Sequence, residues 1–130
     1  MEILSSRVLL RPTDVFRSRD FYRDVMGLAV YREFGTPEQP GTVFYLGNGL
    51  LEVSGSSEAS EVPPISLWMQ VRDVRAEYER LVAAGVEGLR KPEVEFWGLE
   101  EAWIADPDGV RIVLVQIPDD HPLRRDQRTF

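Results

Sequence analysis

Apolar residues recur along this chain with two different periods, one typical of strands and one typical of helices. Residues 3–11 alternate loosely and carry branched side chains, which predicts a strand. The segment DVFRSRDFYRDVMG (14–27) has an apolar stripe at helical spacing, which predicts a helix capped by Thr13 or Asp14. Three short apolar segments follow and predict three further strands: LAVYREF (28–34), GTVFYLG (41–47) and LLEVSG (50–55). Asn48-Gly49 between the last two is typical of a hairpin turn.

The same order restarts at Val62, so the chain contains the pattern twice. ISLWMQV (65–71) predicts a strand, and DVRAEYERLVAAG (73–85) predicts a helix capped by Asp73. Three more strands are predicted in the segments EVEF (93–96), EEAWIA (100–105) and RIVLVQI (111–117). The caps Asp14 and Asp73 lie 59 positions apart, and the turn glycines Gly49 and Gly109 lie 60 apart. This shared offset indicates an internal duplication.

The repeated order predicts an α+β fold made of two βαβββ modules, each a curved mixed sheet with one helix on its convex face. The modules span residues 1–57 and 62–118 and form a single structural domain, and residues 119–130 are a C-terminal tail. One face of each sheet is left uncovered by its own helix. We expect that face to enclose a cavity.

Charge and composition exclude several classes of function. The net charge of −7 argues against non-specific nucleic-acid binding. No apolar stretch approaches the length of a membrane span, so we expect no membrane partner. The chain contains no cysteine, which excludes disulfides and thiolate metal sites and makes a cytoplasmic location the default expectation.

Three segments resemble one known superfamily: DVFRSRDFYRDVMGL, LLEVSG and ADPDGVRIVLVQ. Together they are similar to the vicinal oxygen chelate superfamily, which contains glyoxalase I, extradiol dioxygenases and bleomycin-resistance proteins. The resemblance extends over about residues 3–117. It implies paired modules whose sheets close around a cavity, often across a dimer. It also implies either a metal enzyme or a metal-free binding protein.

The resemblance places four possible metal-ligand positions at Arg7, Glu52, Ser66 and Val113. Arginine has no free lone pair, and valine has no donor atom. Serine is a poor ligand for first-row metals without stronger partners. Glu52 alone is a good ligand, whereas a catalytic metal site needs about three protein ligands. The only histidine, His121, lies in the tail. We therefore expect no metal and no cofactor.

Strand alternation predicts which side chains line the cavity, because every second residue faces the same side. With Glu52, which the resemblance places in the cavity, and Trp103, an aromatic candidate, nine residues are predicted to bind a ligand there: Arg7, Leu9, Glu52, Ser66, Trp68, Gln70, Trp103, Arg111 and Val113. A mixture of polar groups and aromatics suits a small-molecule site better than a purely structural core. Glu52 lies within an apolar run and needs a partner, and Arg7 is the predicted one. Arg7→Ala should cost on the order of 3 kcal/mol if the site is deeply buried, and much less if water enters.

Three functions follow from these observations. The leading hypothesis is a metal-free binding protein for a small organic molecule, as in drug sequestration. The alternative is a metal-dependent lyase, isomerase or dioxygenase of the same superfamily. A metal-independent enzyme with Glu52 as general base is the third. We expect a homodimer, because the open sheet faces need covering.

Overall fold

A computed structural model describes residues 2–58, 63 and 65–121 of the 130-residue chain. Most of the predicted tail, from residue 122 onward, lies outside the described residues. The chain groups into two compact units. The first contains residues up to 63 together with Pro107–Gly109, and the second contains Pro64–Asp106 and the residues from Val110 onward.

Each unit is built on a four-stranded mixed sheet, and the two sheets have the same strand order. The first unit contains β1 (Val8–Leu10), α1 (Val15–Asp20), β2 (Val30–Gly35), β3 (Pro40–Leu46) and β4 (Gly49–Val53). The second unit contains β5 (Ser66–Gln70), α2 (Val74–Ala83), β6 (Glu87–Val94), β7 (Glu100–Ala105) and β8 (Arg111–Gln116). The sheet orders are β1-β4-β3-β2 and β5-β8-β7-β6. In each sheet the first pair is parallel and the others are antiparallel. The predicted α+β fold of two βαβββ modules is confirmed.

Both helices begin at the predicted aspartates. The Asp14 carboxylate accepts hydrogen bonds from the backbone amides of Phe16 and Arg17, and that of Asp73 accepts one from Ala76. Beyond α1, residues Phe21–Val25 form a π-helical turn instead of continuing the α-helix. The predicted helix therefore changes form in its second half, where the hydrogen bonds join residues five apart, as in Met26 N–H to the Phe21 carbonyl at 2.8 Å.

Two strands differ in length from the prediction because pairing, and not hydrophobicity, sets their bounds. β1 was predicted from residue 3, but it pairs with β4 only through Val8–Leu10. β6 was predicted as 93–96, but it pairs with β7 from Glu87 to Val94. β6 is an edge strand with irregular register and mostly exposed residues, so no alternating pattern marks it in the sequence. The first hairpin turn is also shifted by one residue, to Gly47-Asn48, where Gly47 has a positive φ of 59°.

The core of each unit lies between its helix and one face of its sheet. In the first unit Tyr22 packs against Phe44 of β3, with ring centroids 6.3 Å apart, and both are fully buried. In the second unit Leu67 and Met69 of β5 are buried together with Ile112 and Leu114 of β8. The alternate residues of these strands therefore point away from the helix, onto what we call the open face of each sheet. No helix among the described residues is long and apolar enough to cross a bilayer.

Candidate functional site

Glu52 and Arg7 form an ion pair on the open face of the first sheet. Leu9 of β1 lies opposite Glu52 of β4 in the parallel register. The side chains two positions before and after Leu9, Arg7 and Arg11, can therefore reach the Glu52 carboxylate. Arg7 NH1 lies 3.0 Å from Glu52 Oε1. The predicted partner of Glu52 is confirmed.

A second arginine and a serine also hold this carboxylate. Arg11 NH1 lies 3.2 Å from Glu52 Oε2 and donates to Ser54 Oγ at 2.6 Å. The Ser54 hydroxyl in turn donates to Glu52 Oε2 at 2.6 Å. Sequence reasoning did not assign Arg11 to Glu52. The signal was the spacing of two, which puts Arg7, Leu9 and Arg11 on one side of β1.

These contacts keep Glu52 ionised. The hydrogen bond from Ser54 lowers the pKa of Glu52 below its ordinary value of 4.5, and the hydrogen bonds from Arg7 and Arg11 lower it further, against the opposing effect of burial. The side chain of Glu52 is 13% exposed, while those of Arg7 and Arg11 are 31% and 46% exposed. The carboxylate thus lies beneath two cations that still reach solvent.

The rest of this open face carries a third arginine and exposed aromatic rings. Tyr45 of β3 lies opposite Leu50 and is exposed, and its ring meets Tyr31 edge-on at 5.2 Å. Arg32 of β2 stacks over the Phe34 ring at 5.6 Å. It has no ion pair within the described part of the chain. The face therefore combines cationic groups with apolar surface.

The open face of the second sheet holds six of the nine predicted residues. Ser66, Trp68 and Gln70 are the exposed residues of β5, as alternation predicted. Arg111 of β8 lies opposite Ser66 and donates from Nε to its Oγ at 3.0 Å. Val113 lies opposite Trp68 on one side and Trp103 on the other.

Two guanidinium groups contact the ring of Trp103. The Cζ atoms of Arg90 and Arg111 are 4.2 and 4.8 Å from the Trp103 ring centroid, within cation–π range. The buried Nε1 of Trp103 has no hydrogen-bond partner among the described residues. Sequence reasoning missed Arg90 because it lies on the edge strand β6, whose pattern was not recognised. Arg90 also pairs with Glu95 and donates to the Glu101 carbonyl at 3.3 Å.

Each group of predicted residues is thus assembled within its own unit: Arg7, Leu9 and Glu52 in the first, and the other six in the second. A separate cavity of about 300 Å³ lies in the first unit, lined among others by Arg19, Glu33, Phe34 and Thr42. It contains none of the predicted ligand-binding residues.

The residues at the implied metal positions do not fit a metal ion. Both oxygens of Glu52 already accept hydrogen bonds from cationic groups, and a metal there would face the charges of Arg7 and Arg11. The Ser66 hydroxyl accepts from Arg111, and Val113 has no donor atom. Within residues 2–58, 63 and 65–121, no three His, Asp or Glu side chains are close enough to hold a metal together.

The fold and the Arg–Glu cluster define a two-module α+β protein with a charged, aromatic sheet face. The model of the Glyoxalase/Bleomycin resistance protein/Dioxygenase superfamily matches residues 5–114, and the chain belongs to this superfamily. Among proteins of curated function, no sequence matches the chain.

Solved structures of similar proteins share the fold. A glyoxalase-related enzyme from Fulvimarina pelagi is 25% identical, with a TM-score of 0.70, and the match covers 91% of this chain and 90% of that one. A lactoylglutathione lyase from Agrobacterium tumefaciens is 22% identical, with a TM-score of 0.65, over 85% of this chain and 90% of that one. TioX from Micromonospora sp. ML1 is 22% identical, with a TM-score of 0.68, over 87% and 95% of the two chains.

Proposed function

We propose that this protein binds a small organic molecule on the open faces of its sheets and does so without a metal ion. On each sheet the predicted residues of that unit supply a binding surface, and no bond in the ligand needs to be broken. Sequestration of a drug or other organic compound is the function that this mode of binding supports best. We place this activity in the cytoplasm, in line with the absence of cysteine.

The ion-paired carboxylate of Glu52 is the observation that carries this proposal. Oε1 accepts from Arg7 at 3.0 Å, and Oε2 accepts from Arg11 at 3.2 Å and from Ser54 at 2.6 Å. A metal-dependent lyase, isomerase or dioxygenase would need this carboxylate free together with further ligands. In the described residues the arginines take the place of a metal as the positive charge beside Glu52.

The same contacts argue against Glu52 as a general base. A base that works near neutral pH has a pKa close to that pH. Ser54 and the two arginines shift the pKa of Glu52 in the opposite direction. The carboxylate is therefore a weak proton acceptor, and its role is to position Arg7 and Arg11.

Exposed aromatics on the sheet faces support binding by burial. Trp68 is 52% exposed on the open face of the second sheet, and Tyr45 is 49% exposed on that of the first. Exposed apolar patches rimmed by polar residues mark interaction sites, including ligand-binding grooves. A ligand that covers Trp68 gains hydrophobic stabilisation, and the polar groups orient it.

A thermal-shift screen of metabolites and antibiotics tests the proposal. A ligand at a hundredfold excess over its Kd stabilises the folded protein by about 2.7 kcal/mol, which raises the melting temperature by several degrees. The Trp68→Ala variant should lose this shift. Phe96→Ala is the matched control, since Phe96 is a fully exposed aromatic in the loop between β6 and β7. Equal shifts in both variants, or stabilisation only after addition of a divalent metal, would contradict the proposal.

We also propose that the protein forms a homodimer with two-fold symmetry. Exposed apolar side chains outside the proposed binding surfaces, such as Leu89 and Val94 of β6, need covering in solution. Sedimentation at micromolar concentration should give the mass of two chains. A single species with the mass of one chain would refute the dimer.

A further inference from the structure

We propose that the ligand carries a carboxylate group, which binds to the free donors of Arg7 and Arg11 on the open face of the first sheet. This inference rests on the proposed function, since it names the chemical class of the molecule bound there. It follows from the hydrogen-bonding capacity that Glu52 leaves unused, from the local charge, and from the apolar surface beside the arginines.

The two arginines have more donors than Glu52 and Ser54 can accept. A guanidinium offers five N–H groups, and none of them can be removed by deprotonation. Arg7 contacts Glu52 only through NH1, and Arg11 contacts Glu52 and Ser54 only through NH1. The Nε and NH2 groups of both side chains have no acceptor among the described residues. These are the two nitrogens that form a bidentate pair with a carboxylate.

Glu52, in contrast, has little capacity left for a cationic ligand. Its Oε2 already accepts two hydrogen bonds, and its Oε1 accepts one. With Glu52 ionised, Arg7 and Arg11 leave one net positive charge in the cluster, and the unpaired Arg32 adds another on the same face. The cluster is therefore positively charged, although the net charge of the whole chain is −7. The cluster therefore attracts anions.

The surface beside the arginines is apolar and fits a planar body. Leu9 lies between Arg7 and Arg11 on β1 and is about half exposed. Leu50 of β4 and Tyr45 of β3 lie opposite each other on the same face, and the Tyr31 ring contacts the Tyr45 ring. Aromatic rings stack favourably on such a surface. The class of ligand that matches both features is an aromatic carboxylate.

Isothermal titration of the full chain with matched probes tests this assignment. The probes are 2-naphthoate, 2-naphthamide, 2-naphthyl phosphate and (2-naphthyl)methylammonium, which share one ring system and differ in the charged group. We expect 2-naphthoate to bind about tenfold to a hundredfold more tightly than 2-naphthamide, the range given by a pair of charge-assisted hydrogen bonds.

Variants locate the effect at the arginines. Arg7→Gln and Arg11→Gln should each reduce the preference for 2-naphthoate over 2-naphthamide, while leaving the affinity for the amide nearly unchanged. Arg72→Gln removes the same charge at an exposed position outside the cluster, and it should keep the full preference. Arg11→Lys keeps the charge but not the planar pair of donors, so an intermediate preference is expected. Circular dichroism checks that each variant is folded.

The other outcomes overturn the assignment in distinguishable ways. Equal binding of 2-naphthoate and 2-naphthamide would contradict the carboxylate site and leave small-molecule binding in place. Tighter binding of the phosphate or of the ammonium probe would replace the carboxylate by that group. If no probe binds at millimolar concentration, the aromatic carboxylate class is wrong. If the thermal-shift screen is also negative, the proposed function itself fails.

Discussion

Replacing both members of the Arg7–Glu52 pair tests whether these residues interact in solution. The experiment compares Arg7→Leu, Glu52→Leu and the double variant by urea unfolding. Their free energies of unfolding form a double-mutant cycle, which isolates the interaction between the two side chains.

The contacts of Arg7 determine how much free energy of unfolding the Arg7→Leu variant should lose. This variant removes one charge-assisted hydrogen bond of 3.0 Å, while Arg11 at 3.2 Å and Ser54 at 2.6 Å remain bound to the carboxylate. Because the Arg7 side chain is 31% exposed, water replaces part of the lost interaction. We expect a loss of about 1 kcal/mol, well below the ~3 kcal/mol that applies to a stranded, deeply buried charge.

Glu52→Leu should be more harmful, because it leaves Arg7 and Arg11 side by side without a carboxylate between them. We expect a loss of about 1–2 kcal/mol. The double variant should lose less than the sum of the two single losses, with a coupling energy of about 0.5–1 kcal/mol. The midpoint should shift at constant m-value, as for a change in stability alone.

The control cycle uses Arg80 and Glu77 on α2. Their NH2 and Oε2 atoms are 2.9 Å apart, but the two side chains are 49% and 39% exposed. An exposed pair of this kind on a helix is worth about 0.2–0.5 kcal/mol. If the losses in the Arg7–Glu52 cycle simply add, the two residues do not interact, and the reasoning about the cluster is wrong.

Three further predictions concern pH, the hydroxyl beside Glu52 and the helix caps. The folded-state pKa of Glu52 lies below its ordinary value of 4.5, so ionised Glu52 contributes stability above that pH and loses it as pH falls through the folded-state pKa. Urea unfolding should therefore show a steeper loss of stability below about pH 5 in the parent protein than in Glu52→Gln, and parallel profiles would contradict this. Ser54→Ala should raise the Glu52 pKa, measured by carboxyl NMR, because the hydrogen bond from Ser54 is the main cause of its lowering. An unchanged pKa would show that Ser54 does not lower it. Asp14→Ala should cost about 1 kcal/mol and more than Asp73→Ala, since Asp14 caps two amides and Asp73 one, and equal unfolding midpoints would argue against this.

Most of the fold could be predicted from the sequence, because the same helix caps and strand patterns occur in both modules. The caps Asp14 and Asp73 and the apolar strands next to the helices have strong local patterns. The bounds of β1 and β6 could not be read in the same way, because they depend on how far the neighbouring strand extends for pairing. The π-helical turn at Phe21–Val25, in which Tyr22 packs against Phe44 of the sheet, has no simple spacing in the sequence.

Part of the site could be predicted from the sequence. The resemblance placed Arg7 and Glu52 at metal-ligand positions on one face, alternation agreed for Arg7, and opposite charge then identified the pair. Alternation gives the face of a side chain but not its reach, so the contacts of Arg11 with Glu52 and Ser54 were not foreseen. The stacking of Arg90 on Trp103 depends on the register between β6 and β7, which local pattern does not encode.

Metal binding by the intact chain is the most direct test of the central claim that arginines stand where a metal would be held. After treatment with a chelator, the protein is titrated calorimetrically with Zn²⁺, Ni²⁺ and Mn²⁺, with Glu52→Gln as the control variant. We expect no saturable binding below about millimolar concentration, and no difference between the parent protein and the variant, because the residues that the structure describes contain no set of about three ligands. One equivalent bound with micromolar affinity by the parent protein, and lost in Glu52→Gln, would contradict the account.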